Sequence, residues 1–326
     1  CAQQEELSMP TTHPIRFGIQ TAQQNVTYEE IRDLWSKADG WGYDSLWVFD
    51  HFYPIFVPDP TGPCMEGWTL LSALSQHTKR ARIGALVNGN TYRNPCLLAK
   101  MASTLDVISN GRLNLGIGAG WYELEHQSFG IDFKTIPGRL GALDESIKII
   151  KGMFTQEKTS LDGRHYKVKD AVCNPKPITK PHPPIMVGGK GEKTLLKLVA
   201  RHADMWNSTG SSAEQIAHLI SVIERHGDTE GRNTDEIEKT LMIGLCYRAT
   251  KDREQAMMQI IGAMSNQPPE KARGQIMIGG KQECLDTVER YRKAGVTHFI
   301  FMQMAPFQVD EIQRFAEEVI PAVRGK

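Results

Sequence analysis

The feature that most restricts the fold of this chain is a regular exchange between two hydrophobic periods. Short runs that are wholly apolar, or apolar at every second position, read as strands; longer runs with apolar residues every three to four positions read as helices. The strand-like runs fall at 15–20, 45–49, 82–88, 111–118, 184–189, 205–208, 240–248 and 298–302. Helical stretches separate them, at 27–42, 67–77, 94–108, 123–129 with 137–154, up to 202, 213–226, from 251, 282–294 and finally 310–323. Strands that alternate with helices pair in parallel, because each crossover helix returns the chain to the same end of the sheet. About eight such units in 326 residues predict an α/β fold, a (β/α)8 TIM barrel with insertions, as one domain over 15–326 behind a disordered tail at 1–14.

Local signals agree with these boundaries. Thr27 and Glu30 have the spacing of a capping box, Asn94-Pro95 opens a helix with proline in its first turn, and Asn110-Gly111 closes that helix. Residues 156–182 are an excursion, in which 159–161 and 165–168 flank Asp162-Gly163 as a hairpin.

The totals exclude several classes of function. Lys plus Arg and Asp plus Glu both number 38, so no net charge draws the chain to nucleic acid, and no basic block or RNA-type aromatic motif occurs. No run of about 18 apolar residues exists that would cross a membrane. Cys1, Cys64, Cys96, Cys173, Cys246 and Cys284 are scattered, with neither a CxxC pair nor a disulfide framework, and no His/Asp/Glu spacing of the zinc type appears. Scattered thiols and 13 methionines suit a reducing, cytoplasmic setting. A lipid-bearing Cys1 is the minor alternative.

In a barrel of this kind, chemistry collects at the C-terminal ends of the strands. Four ends carry suggestive residues. The second strand ends in Asp50-His51, the third in Asn88-Gly89-Asn90, and the fourth runs through Gly116, Gly118 and Gly120 into Trp121, Glu123 and Glu125. The fifth ends in Gly188-Gly189-Lys190-Gly191. Glycines at alternate strand positions either let backbone approach a flat ligand or pack tightly inside the barrel. The fingerprint G-x-G-x-x-G is absent, since Trp121 stands where its last glycine would be. The loop 188–191 either is a tight turn or offers backbone N–H groups and Lys190 to a phosphate. His51 is suited to moving a proton near neutral pH. Glu66 and Glu123 read as acid, base or simply solvated carboxylates. Trp121, Trp68, Tyr92 and Trp206 read as cofactor walls or core, with core preferred for Trp68 and Trp206.

These residues also form a pattern. Trp47-Val-Phe-Asp50-His51-Phe, Glu66-Gly-Trp-Thr, Asn88-Gly-Asn-Thr-Tyr-Arg-Asn-Pro95, Gly111-Arg-Leu-Asn-Leu-Gly-Ile-Gly-Ala-Gly-Trp121, Glu125-His126 and Gly188-Gly-Lys-Gly resemble the luciferase-like monooxygenase superfamily. The likeness extends over about 15–305 and is nearest to the coenzyme F420-dependent oxidoreductases. The resemblance implies hydride transfer between the deazaflavin and a small-molecule substrate, with His51 as proton donor or acceptor and Asp50 in the same cluster. It implies a cofactor held by Asp50, His51, Val87, Asn88 and Gly89, by Gly118, Gly120 and Trp121, and by Gly188, Gly189, Lys190 and Gly191. It also implies a non-prolyl cis peptide somewhere in 86–89 of the third strand, and a homodimer. The alternatives are an FMN-dependent monooxygenase using O2 and a non-catalytic cofactor-binding protein. Ile55, Trp121 and the lysine-free run Ser208-Thr-Gly-Ser-Ser212 depart from the sugar-phosphate dehydrogenase subgroup, which argues against glucose 6-phosphate as substrate.

Overall fold

A computed structural model describes residues 13–265 and 267–325. Among the described residues eleven strands form: β1 (Arg16–Thr21), β2 (Ser45–Val48), β3 (Arg82–Gly89), β4 (Leu113–Gly118), β5 (Thr159–Asp162), β6 (Lys167–Ala171), β7 (Ile185–Gly188), β8 (Met205–Thr209), β9 (Glu238–Tyr247), β10 (Ile276–Gly279) and β11 (His298–Gln303). Eight close into a parallel barrel in the order β1-β2-β3-β4-β7-β8-β9-β11, with β11 returning to β1. These are the eight strands expected from the sequence, and they make the TIM barrel.

Two features differ from that expectation. β10 lies outside the strand-like runs of the sequence; it pairs with the far end of the long β9, beyond the closed ring. The insertion hairpin, β5 with β6, turns over four residues, 163–166, and is pinned there by Glu145, whose carboxylate accepts the backbone N–H groups of Arg164, His165 and Tyr166. The tail expected at 1–14 lies outside the described residues except for its last two; His13 Nε2 sits 3.1 Å from the Glu236 carbonyl oxygen.

Strand alternation sorts side chains between two cores. Leu46 and Val48, Ile185 and Val187, and Phe299 and Phe301 face outward into the layer shared with the helices. Between them Trp47, Met186 and Ile300 face inward, with Met205, and plug the barrel. Gly84 makes that plug fit: a Cβ there would lie 2.6 Å from the Trp47 ring. Below the plug, at the N-terminal ends of the strands, a buried polar network ties β1, β2, β9 and β11. Arg16 Nη1 donates to Glu238 Oε1 at 2.9 Å, His298 Nδ1 lies 3.3 Å from the same oxygen, and His298 Nε2 is 2.8 Å from Ser45 Oγ. The helices begin where their caps predict. The Thr27–Glu30 box is formed around helix Tyr28–Trp41, and Asn94 caps helix Pro95–Ile108.

Candidate active site

Above the plug, at the C-terminal strand ends, lies a cavity of about 750 Å³. That volume falls within the range of small-molecule and cofactor sites. His51 and Asp50 from the end of β2, Leu86–Gly89 from β3, Gly118–Trp121 from β4 and the diglycine Gly188-Gly189 from β7 all line it. Positions 51 and 189, 138 residues apart, thus line one cavity. Trp121 stands at the rim, 54% exposed and stacked on Phe56.

The centre of the site is an imidazole aimed by a carboxylate. His51 Nδ1 donates to Glu125 Oε2 at 2.9 Å, and a carboxylate can only accept, so the proton on that side sits on Nδ1. Nε2 has no partner among the described residues, and His51 lines the cavity. Glu125 is itself fixed from three further sides. Its Oε1 accepts the backbone N–H groups of Phe52 (2.6 Å) and Tyr53 (3.0 Å), and its Oε2 accepts the Tyr92 hydroxyl. Burial works to raise the pKa of this fully enclosed carboxyl. The hydrogen bonds and charge of His51, with Tyr92 and the Tyr53 N–H, outweigh it and hold Glu125 below the usual carboxylate range. Burial, and then Glu125, raise the Tyr92 hydroxyl and push the neighbouring Cys64 thiol up to about 12, so Cys64 is no nucleophile near neutral pH.

Asp50 does something different from its neighbour. Neighbouring side chains along extended backbone diverge, and Asp50 turns to the third strand, where Oδ2 accepts the Gly89 N–H at 3.1 Å. Both of its oxygens receive Arg93 Nη1, at 2.9 and 2.7 Å, while Arg93 Nη2 reaches Glu66 Oε1 at 2.6 Å. Burial raises the Asp50 carboxyl against the pull of Arg93. Glu66 also caps helix Gly67–Leu74 through the N–H groups of Trp68 and Thr69, so it is structural. Glu123 is exposed and bonded to Gln127.

The third strand carries the expected irregularity. The Leu86–Val87 peptide is cis, and the pairing with β4 slips between Ala85 and Asn88. The bulge turns Val87 over the glycines. A Cβ on Gly116 would lie 3.0 Å from Val87 Cγ1, one on Gly118 2.9 Å from Cγ2, and one on Gly188 3.0 Å from Cγ2. Of the alternating glycines 116, 118 and 120, read either as an approach for a flat ligand or as tight packing, the first two make room for Val87, as does Gly188. The Asn88 side chain is likewise committed, accepting from Trp68 Nε1 and donating to the Gly116 carbonyl, each at 2.5 Å, so only its backbone is left for the cavity. Gly120 has φ +82° and passes 2.7 Å, measured from its ideal Cβ, from Thr91 Oγ1, so no other residue fits there without strain.

The loop after β7 is only partly what the sequence predicts. Gly188, Gly189 and Gly191 line the cavity, but Lys190 does not: it is exposed, with Nζ on the Thr209 carbonyl at 3.0 Å. The Gly189 N–H is taken by the Asn207 carbonyl, and the helix after the loop starts only at Leu195. Trp68 and Trp206 are core, 3% and 0% exposed. His126 is buried between Thr91 Oγ1 and the Tyr122 carbonyl. Sequence reasoning missed Glu125 as the partner of His51. Glu123 and Glu125 stand about 200° apart around a helix, and nothing in the local pattern says which of them faces inward.

Among the described residues no group of three His, Cys, Asp or Glu side chains comes together to hold a metal, and no helix is long and apolar enough to cross a membrane. A sequence model of the luciferase-like monooxygenase family matches residues 9–298. A curated relative, the F420-dependent glucose-6-phosphate dehydrogenase of Microbacterium testaceum, is 25% identical over 97% of this chain and 99% of its own. Among solved structures, an F420-dependent secondary alcohol dehydrogenase in complex with an F420–acetone adduct superposes with TM-score 0.84 at 20% identity, covering 96% of this chain and 100% of that one. The coenzyme F420-dependent tetrahydromethanopterin reductase of Methanopyrus kandleri gives 0.78 at 20% identity, over 95% and 100%. At those identities the structural likeness speaks to the fold alone.

Proposed function

The chain belongs to the luciferase-like monooxygenase family, and from that membership we propose that it is an F420-dependent oxidoreductase acting on a small organic substrate, with His51 giving or taking the accompanying proton. The observation that carries this reading is the His51–Glu125 pair. It leaves one ring nitrogen, Nε2, free in a cavity whose wall also carries apolar side chains and glycine backbone. The full-length likeness to relatives named for F420 supports the choice of cofactor.

The residues present fit such a group. Val87 offers an apolar surface, and Gly188 and Gly189 present bare backbone on the same wall. The deazaflavin, when bound, supplies the hydride chemistry; the protein supplies position and proton movement. Glu125 keeps the imidazole in one tautomer and orientation, so that Nε2 holds or releases the proton. Asp50 and Arg93 act as positioning residues, tying the β3 bulge to the end of β2. Trp121 and Phe56 cover the mouth and limit water. The departures at Ile55, Trp121 and 208–212 argue for a substrate other than glucose 6-phosphate.

Titrating the purified protein with F420 and with FMN under matched conditions, followed by fluorescence, tests the reading. Saturable F420 binding and weak FMN binding are expected. Tight FMN binding without F420 binding overturns the proposal in favour of a flavin monooxygenase. Bound F420 that a broad panel of substrates neither oxidises nor reduces points to a non-catalytic binding protein.

A further inference from the structure

One side chain of the cavity wall has no role in that reading. Arg139 is 8% exposed and lines the cavity with Ile136 and Leu140, at the start of helix Ile136–Thr155. Its Nη1 donates to the Lys134 carbonyl, and its Cζ lies 4.0 Å from the centre of the Phe133 ring. Its Nε is buried with no hydrogen-bond partner, and no carboxylate among the described residues pairs with the guanidinium.

Such a cation is disfavoured twice. Burying a charge without a counter-charge costs more than burying a paired one. The first turn of a 20-residue helix is also the positive end of its dipole, where a cation is opposed. The carboxylates nearby are already taken, Asp50 by Arg93 and Glu125 by His51, Tyr92 and two backbone amides. The guanidinium fork matches a carboxylate or phosphate in two-point contact. The same cavity is lined by apolar, adaptable side chains, Met264, Met302 and Met304 among them.

We propose that Arg139 anchors an acidic group, carboxylate or phosphate, of the molecule bound in this cavity, whose apolar body lies against the methionine and aromatic walls. This rests on the cavity being the ligand site. Two sources fit the chemistry: the phosphorylated tail of the cofactor, or an amphipathic anionic substrate.

Four probes separate them: F420, its ring-and-ribityl fragment lacking the phosphorylated tail, 4-phenylbutyrate and 4-phenylbutyramide. Each is titrated against wild type, Arg139→Gln and Arg139→Lys, with far-UV circular dichroism as the folding check. If the tail is the source, Arg139→Gln loses at least tenfold in F420 affinity and keeps its affinity for the fragment. If a substrate is the source, both deazaflavins bind as before, and a wild-type preference for the acid over the amide disappears in Arg139→Gln. Arg139→Lys keeps part of either preference, because it keeps the charge. If Arg139→Gln does not fold, wild type and Arg139→Lys decide. A wild-type protein with no preference for whole cofactor over fragment, and none for acid over amide, overturns the proposal. So does an Arg139→Gln variant that retains those preferences. Failure of intact F420 to bind wild type overturns the F420 reading instead, and the acid–amide pair then judges Arg139 alone.

Discussion

Replacing Glu125 with Gln probes the geometry of the site most directly, because the side chain keeps its size and loses only its charge and half of its accepting capacity. Glu125 accepts four hydrogen bonds in a fully buried position. The glutamine carbonyl can keep the amides of Phe52 and Tyr53. Its NH2 then faces His51 Nδ1 and the Tyr92 hydroxyl, both of which now donate. To avoid a clash the imidazole proton moves to Nε2 and the Tyr92 hydroxyl turns. Hydrogen bonds to a charged group contribute about 1.5–3 kcal/mol and neutral ones about 0.5–1.5. The change therefore costs about 1 kcal/mol per bond, or about 4 kcal/mol over the set. Urea unfolding of wild type and Glu125→Gln reads that difference, and nitrogen-15 NMR of the His51 ring reads the tautomer. With any substrate that wild type turns over, the rate falls about 100-fold or more, the scale of a lost general acid or base. A variant with the wild-type unfolding midpoint and the proton still on Nδ1 refutes the argument that Glu125 sets the state of His51.

Three other outcomes rest on the same geometry. His51→Ala slows turnover about 100-fold or more while leaving cofactor affinity little changed; unchanged turnover in steady-state assays removes His51 from the chemistry. Gly118→Ala pushes a methyl to 2.9 Å from Val87 Cγ2 and destabilises by about 1–3 kcal/mol, whereas the same change in a Val87→Ala background costs less, and equal losses in urea unfolding contradict the packing described. At the opposite end of the barrel burial opposes ionisation of Glu238, but His298 and Arg16 outweigh it and lower its pKa to about 2. A carboxyl depressed from 4.5 to about 2 contributes about 3 kcal/mol that is present above about pH 4.5 and lost as pH falls towards 2. Thermal unfolding of Glu238→Gln between pH 7 and pH 2.5 is accordingly flatter than that of wild type, and parallel curves overturn the assignment.

The parts of this protein that were legible in its sequence are those governed by neighbours along the chain. Period-two and period-3.6 runs identified all eight barrel strands, and short-range chemistry placed the Thr27–Glu30 and Asn94 caps. The convergence of positions 51, 87–89, 118–121 and 188–189 on one mouth followed from the rule that parallel strands end on the same side. β10, which pairs with β9 outside the closed ring, lay beyond the strand-like runs, and Lys190 was misplaced because its exposed stem found the Thr209 carbonyl rather than the cavity.

What only the tertiary structure decided is which groups meet. Glu125 reaches His51 across 74 residues, Asp50 reaches Arg93 rather than its neighbour, and Val87 fills the space that three glycines leave. Arg139 becomes an unpaired cation only when its helix is laid over the cavity. Periodicity is a property of consecutive residues, so the sequence by itself determined the barrel and the end at which its chemistry gathers. Hydrogen bonds and charge pairs form across space, between side chains whose directions depend on packing, so the partners of His51, Asp50 and Arg139 were decided only when the barrel closed.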